Sequence, residues 1–220
     1  MHQTLGRSMS FNVEQMTALF TRSDGTYLCA RWGRPIAAVI FGLEESSLGL
    51  FKGAIESIVH LAGHEMAEID PELGANLMMF FCRSWDELVL VPKLEAMVPD
   101  LTALCARLTA AKANQYRSFR FDADGTIKAA FVFICMDEAM AGQDAHGLAL
   151  AQAVQIILVW SDQAFLAGAP LGVYDGAVVL RPEIAAVIRA AYDKTMPRVA
   201  HDKSHAFRLS ARVISALEAC

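Results

Sequence analysis

Residues 115–162, QYRSFRFDADGTIKAAFVFICMDEAMAGQDAHGLALAQAVQIILVWSD, read as a β-hairpin whose second strand passes through a short polar turn into an apolar helix. In the first arm Tyr116, Ser118, Arg120 and Asp122 alternate with Arg117, Phe119 and Phe121, which is the period of two of a strand. Asp122-Ala123-Asp124-Gly125 is the turn, with Gly125 where a positive φ lets the chain reverse tightly. The return strand, residues 126–136, is apolar on both faces from Ala129 onward, which suits a strand covered on two sides or bordering a cleft. The turn is not a calcium loop, because an EF-hand needs an oxygen ligand where Arg120 stands and a closing Glu where Phe131 stands.

The helix is expected from Asp144 or Ala145 to Trp160. Leu148, Ala151, Gln152, Gln155, Leu158 and Val159 recur at three- and four-residue spacing, with Leu150, Val154 and Ile157 beside them. It is apolar nearly all round and so should be buried. Gln152 and Gln155 lie three apart and share a face. A buried amide needs partners for its donors and its acceptor, so the pair marks either a cleft or a bond to a neighbouring segment.

Outward from this stretch, 220 residues with 55% hydrophobic and 20% charged content fit one domain, residues 1–220, of α/β or α+β type. Its expected parts are an N-terminal helical arm (residues 1–26), a sheet with the central helix (27–162) and a C-terminal helical part (163–220). A net charge of -5 argues against a nucleic-acid footprint. Mean hydropathy is +0.34, yet no uncharged apolar run reaches the roughly 20 residues of a membrane span. The first residues lack the basic-then-apolar profile of a signal peptide. Cys29, Cys82, Cys105, Cys135 and Cys220 are odd in number and scattered, without a CxxC pair. The expectation is a reducing cytoplasm, or the periplasm if a leader precedes this start.

The rest of the chain supplies further elements. Helix is expected over residues 13–20, strands over 27–32 and 36–41, and an amphipathic helix over 44–61 ended by Gly63. Strands at 66–69 and 76–82 follow. Residues 85–111 read as helix broken at Pro92 and Pro99, with Asp100 placed to cap the last piece. Residues 167–176 read as a loop, 178–180 as a short strand, and 181–192 and 204–217 as helices.

Two histidine pairs have the i, i+4 spacing of zinc ligands on a helix: His60 with His64, and His201 with His205. Gly63 interrupts the first pair, and Leu61 stands where an HExxH motif has its Glu. Capping and surface roles account for them more simply, and neither a metal nor another cofactor is expected.

The order of elements resembles the core of the zincin metalloproteases, and more closely an uncharacterised bacterial family of small zincin-like proteins whose zinc motif is commonly decayed. The resemblance rests on Ala75-Asn76 at a strand start, on the turn Gly125-Thr126-Ile127-Lys128-Ala129-Ala130, and on a helix of the form E-E-x-x-Q-x-L-G-L-x-N-D, matched from Ala151 to Asp162. Leu180, Ile184, Ile188 and Tyr192-Asp193 echo a later motif, so the likeness runs from about Ala30 to Pro197. It implies an α+β, zincin-like fold: a small mixed sheet of about four to five strands packed on helices, with a C-terminal helical part.

On that resemblance the HExxH positions fall at Ala151, Gln152 and Gln155. Alanine holds no metal, and glutamine has no ionisable group to act as a base. The expected function is therefore non-catalytic binding of an extended peptide or partner protein in the degenerate cleft, by strand addition beside residues 129–136, with Gln152, Gln155, Asp162 and His146 as binding residues. One alternative is a hydrolase with a relocated site built from His146, Asp162 and a cysteine or serine. Another is a structural subunit, for which 55% hydrophobic content leaves room for a homo-oligomer face.

Overall fold

The computed structural model describes residues 12–166 and 168–218. The first eleven residues of the expected N-terminal arm, Ala167 and Cys220 lie outside the described residues. In chain order the elements are α1 (Val13–Ala18), β1 (Cys29–Ala30), β2 (Ala38–Phe41), α2 (Glu45–Leu61), β3 (Leu77–Cys82), α3 (Asp86–Val89), α4 (Leu94–Met97) and α5 (Leu101–Ala110). There follow β4 (Gln115–Phe121), β5 (Ile127–Cys135), α6 (Glu138–Ala141), α7 (Ala145–Ile157), β6 (Leu171–Tyr174), β7 (Ala177–Leu180), α8 (Pro182–Tyr192), β8 (Val199–Ala200) and α9 (Ser204–Glu218). The fold is α+β. No helix among the described residues is long and apolar enough to cross a membrane.

The main sheet has the order β2-β3-β5-β4, with the first three strands parallel and β4 antiparallel at one edge. Alternation along β3 and β5 separates two cores. Leu77, Met79 and Phe81, with Ala130, Val132 and Ile134, join α2, α7, α8 and α9 on one face. Phe80, Cys82, Phe131, Phe133 and Cys135 meet Trp85, Leu88, Leu94, Leu101 and Leu104 of the α3–α5 region on the other. The apolar run of β5 is thus covered on both sides, and the 85–111 segment forms one of the covers.

Helix α7 stops at Ile157, three residues before the expected end. Its last carbonyls are taken by side chains from elsewhere: Trp160 Nε1 donates to Val154 O, Trp32 Nε1 to Ile156 O, and Tyr192 Oη to Ile157 O, each at 2.8 Å. These donors satisfy the carbonyls of a buried helix end. Leu158 then turns extended and bridges to Arg31. At the end of α2, by contrast, Gly63 behaves as expected, at φ 65 with its N–H donating to His60 O, while His64 N donates to Val59 O.

Four expectations are corrected. Residues 66–69 form no strand beyond a single Ile36–Met66 bridge, and Ile69 is 67% exposed. Asp70 draws this segment into a loop instead, its Oδ1 accepting from the N–H groups of Glu72 and Leu73. The strand expected at 27–32 shortens to β1, paired with β8, because Arg31 and Trp32 bridge to two other segments. The 167–176 stretch holds β6, joined to β7 by Asp175-Gly176, both at positive φ, the hairpin turn these residue types favour. Asp100 makes no capping bond to α5; its φ is 57.

At the start of β3, Asn76 is 0% exposed and joins two strands and a loop. Its Oδ1 accepts from Ala37 N at 2.8 Å, and its Nδ2 donates to Pro35 O at 2.8 Å and Asp70 Oδ2 at 3.1 Å. Arg34 extends the junction through two 2.9 Å bonds to Asp122, which bind the hairpin turn to the body. Helix α9 is anchored by His205, 1% exposed, whose Nδ1 lies 2.8 Å from Tyr27 Oη beside the Phe20 ring.

Asn76→Ala removes three hydrogen bonds to two segments, at Pro35 and Ala37 and at Asp70, and is expected to cost about 2–4 kcal/mol, read as a lower urea midpoint with unchanged slope. Burial holds the His205 imidazole down at about 4, with Arg208 adding to the effect. The unfolded chain, with an imidazole near 6.5, therefore takes up a proton that the folded one refuses. Stability from this source is complete above about pH 6.5, falls by on the order of 2–3 kcal/mol as pH drops toward 4, and then levels off. Urea titrations across that window should show the slope in the wild type and not in His205→Gln.

Candidate functional site

Strand β4 carries two kinds of face. Gln115, Arg117 and Phe119 stand opposite Ile134, Val132 and Ala130, on the α7 side of the sheet. The backbone alternates as well. Cys135 N donates to Asn114 O at 2.9 Å, so the even-numbered residues of β4 exchange bonds with β5. The N–H and C=O groups of Gln115, Arg117 and Phe119 consequently point away from the sheet, without a backbone partner among the described residues.

Along this free edge runs a cavity of about 670 Å³. It is lined by Gln115, Arg117 and Phe119 of β4, by Ala151 and Gln155 of α7, and by the apolar Trp160, Phe165 and Pro170. Arg22 and Asp162 stand among the lining residues. Asp162 is turned to Ser23, accepting from its N at 2.9 Å and its Oγ at 2.5 Å, and these bonds hold its carboxyl down at about 2.

The central feature is Arg117. Its Nη2 donates to Gln152 Oε1 at 2.5 Å and to Gln115 Oε1 at 2.7 Å, while Gln152 Nε2 donates to Gln115 Oε1 at 3.0 Å. Its Nε is sealed from solvent and has no hydrogen-bond partner. No carboxylate among the described residues pairs with it; the ion pairs there involve Arg34, Lys128, Arg181 and Arg198. Burial lowers its pKa to about 10, so the guanidinium stays charged near neutral pH.

The structure divides the expected site residues. Gln155 and Asp162 line the cavity, and Gln155 makes no hydrogen bond to the described residues. Gln152 is 1% exposed and lies behind Arg117 as its support. His146 is exposed in the first turn of α7 and is not among the residues lining the cavity, whereas Asp162 is. Cys29 and Cys82 are buried in the two cores, which pushes both thiols up to about 12. Ser161 Oγ donates to Thr21 O at 2.6 Å. The strand expected to border the cleft, β5, is an interior strand; the border is β4.

The histidines have separate local roles. His64 Nε2 lies 2.9 Å from Arg34 O with its ring against Tyr192, and burial lowers its pKa. His205 bonds Tyr27, while His60 and His201 are exposed. Among the described residues no three His, Cys, Asp or Glu side chains gather as metal ligands would, so the two pairs do not form a joint site.

Arg117 escaped the sequence reading, although its signal was present. It shares the alternating face of Phe119, where a charge on an apolar face needs a reason. Comparison with family models, with curated proteins and with solved structures finds no match to this chain.

Proposed function

We propose that the chain is a non-catalytic binding protein whose cavity takes an extended peptide, or an extended segment of a partner protein, as an added strand on β4. The observation that carries this reading is the coincidence of a free strand edge with a concave, half-apolar wall. The outward N–H and C=O groups of Gln115, Arg117 and Phe119 supply main-chain pairing, and the floor of α7 receives alternate side chains.

The zincin-like ancestry belongs to the same reading. Ala151 and Gln155, four apart on α7, both face the cavity. The resemblance puts the metal-holding side chains of a working protease at these positions. A methyl group and an amide there leave a groove that holds a chain without activating water against it. We also place the protein in a reducing compartment, which the buried, unpaired thiols of Cys29, Cys82, Cys105 and Cys135 support.

Peptides enriched from a random library by the purified protein should slow hydrogen exchange at the Arg117 and Phe119 amides. Gln155 has no structural bond to lose, so Gln155→Leu should fold within about 1 kcal/mol of the wild type. The same change should weaken capture of those peptides by roughly tenfold, from the loss of one cavity hydrogen bond. Unchanged capture by this variant, or protection appearing on β2 rather than β4, would overturn the assignment.

A further inference from the structure

The groove contains a positive charge that the protein itself does not neutralise, and this specifies its ligand further. We propose that the cavity recognises a carboxylate borne on an apolar body, with Arg117 as the recognising group, and that in the extended ligand of the preceding section this is the free C-terminus of the peptide. The inference rests on that reading for the peptide and on the Arg117 geometry alone for the carboxylate.

Both protons of Arg117 Nη2 are directed to Gln152 and Gln115. Nη1 makes no hydrogen bond among the described residues, and it is not among the sealed, unpartnered atoms, where only Nε is found. It is therefore the donor left open to the cavity. Gln115 and Gln152 are neutral, so they fix the guanidinium in place without discharging it. A half-buried cation held in one orientation beside a cavity gains most from an anion that completes its hydrogen bonds.

The surroundings select the kind of anion. Phe119, Trp160 and Phe165 make much of the wall apolar, which favours a ligand with an apolar body. Gln155, with its amide unbonded, supplies a second, neutral donor. Asp162 carries a full negative charge among the lining residues, and Arg22 is the second cation there. One inner cation with neutral helpers matches a monoanion better than a dianion such as phosphate. In the extended ligand the carboxylate is assigned to the chain end, where pairing with the Arg117 main chain and contact with its side chain fall together, and the comparison of peptide acids with peptide amides tests that assignment.

The test compares acids with their amides on the wild-type protein. N-acetyl-leucine, N-acetyl-leucine amide and inorganic phosphate are titrated while the Arg117 Nε–H resonance and tryptophan fluorescence are followed; library-enriched peptides are tested as free acids and as C-terminal amides. The acid should bind at least about tenfold more tightly than its amide, and phosphate should bind more weakly than the acid. Arg117→Lys should retain part of this preference and Arg117→Gln none, and the wild-type comparison stands even where a variant fails to fold.

Equal binding of acid and amide in both series, no saturable shift with any acid, or tighter binding of phosphate would overturn the proposal. Acid preference confined to N-acetyl-leucine, with no peptide captured, would uphold the carboxylate site and remove the strand-addition reading. Peptides captured alike as acids and amides would do the reverse.

Discussion

The two-sided apolar character of β3 and β5 constrains everything else in the molecule. A strand with Phe131 and Phe133 on one face and Val132 and Ile134 on the other has to be covered on both sides. The chain meets this demand with two different covers. The short helices α3–α5 close one face, and α2 and α7 with the C-terminal helices close the other. Because β2 and β3 join β5 from one flank, the hairpin partner β4 is left as the outermost strand beside α7. The position of the cavity follows from that arrangement.

An outermost strand ordinarily carries a risk, since its free backbone groups pair with whatever strand comes near. On β4 the edge is accompanied by a charged side chain, Arg117, that no carboxylate among the described residues pairs with. Drawing part of a guanidinium out of water carries a cost, which the two amide oxygens that accept from Arg117 offset only in part. Arg117 has only the neutral amides of Gln115 and Gln152 as hydrogen-bond partners among the described residues. Such a cost at the sheet edge beside the cavity is what the proposed binding role of this edge would account for.

Much of the architecture was legible because it depends on local period and composition. The hairpin at Asp122 to Gly125, the buried helix, the helices broken at Pro92 and Pro99 and the C-terminal cap at Gly63 all carry their reasons in a few neighbouring residues. What could not be read depends on distant partners. Residues 66–69 are apolar enough for a strand, yet Asp70, clasped by Asn76 and Arg34, bends them into a loop. The end of α7 is set by Trp32 and Tyr192, about 125 and 35 residues away in the chain. The hairpin at Asp175-Gly176 is a different failure, since that dipeptide between Leu-Gly-Val-Tyr and Ala-Val-Val-Leu is a local signal that the glycine-rich loop reading passed over. For the site, the helix face bearing Gln155 was visible from periodicity, whereas Arg117 was hidden in an alternation that looked ordinary until its partner strand was known.

Gln152 shows why side-chain type matters here more than position. The helix form that this chain resembles carries a carboxylate at that place. A glutamate behind Arg117 would pair with it and remove the net charge from the cavity, and the guanidinium would become a structural ion pair. Glutamine has nearly the same shape and offers an oxygen in the same direction, so the orientation of Arg117 is preserved. Its second group also donates to Gln115, which ties the helix to the edge strand. An amide rather than an acid at this position thus separates two effects that a salt bridge would combine: the cation is held, and it remains a cation. The cavity beside the edge strand thereby keeps a fixed positive charge of its own.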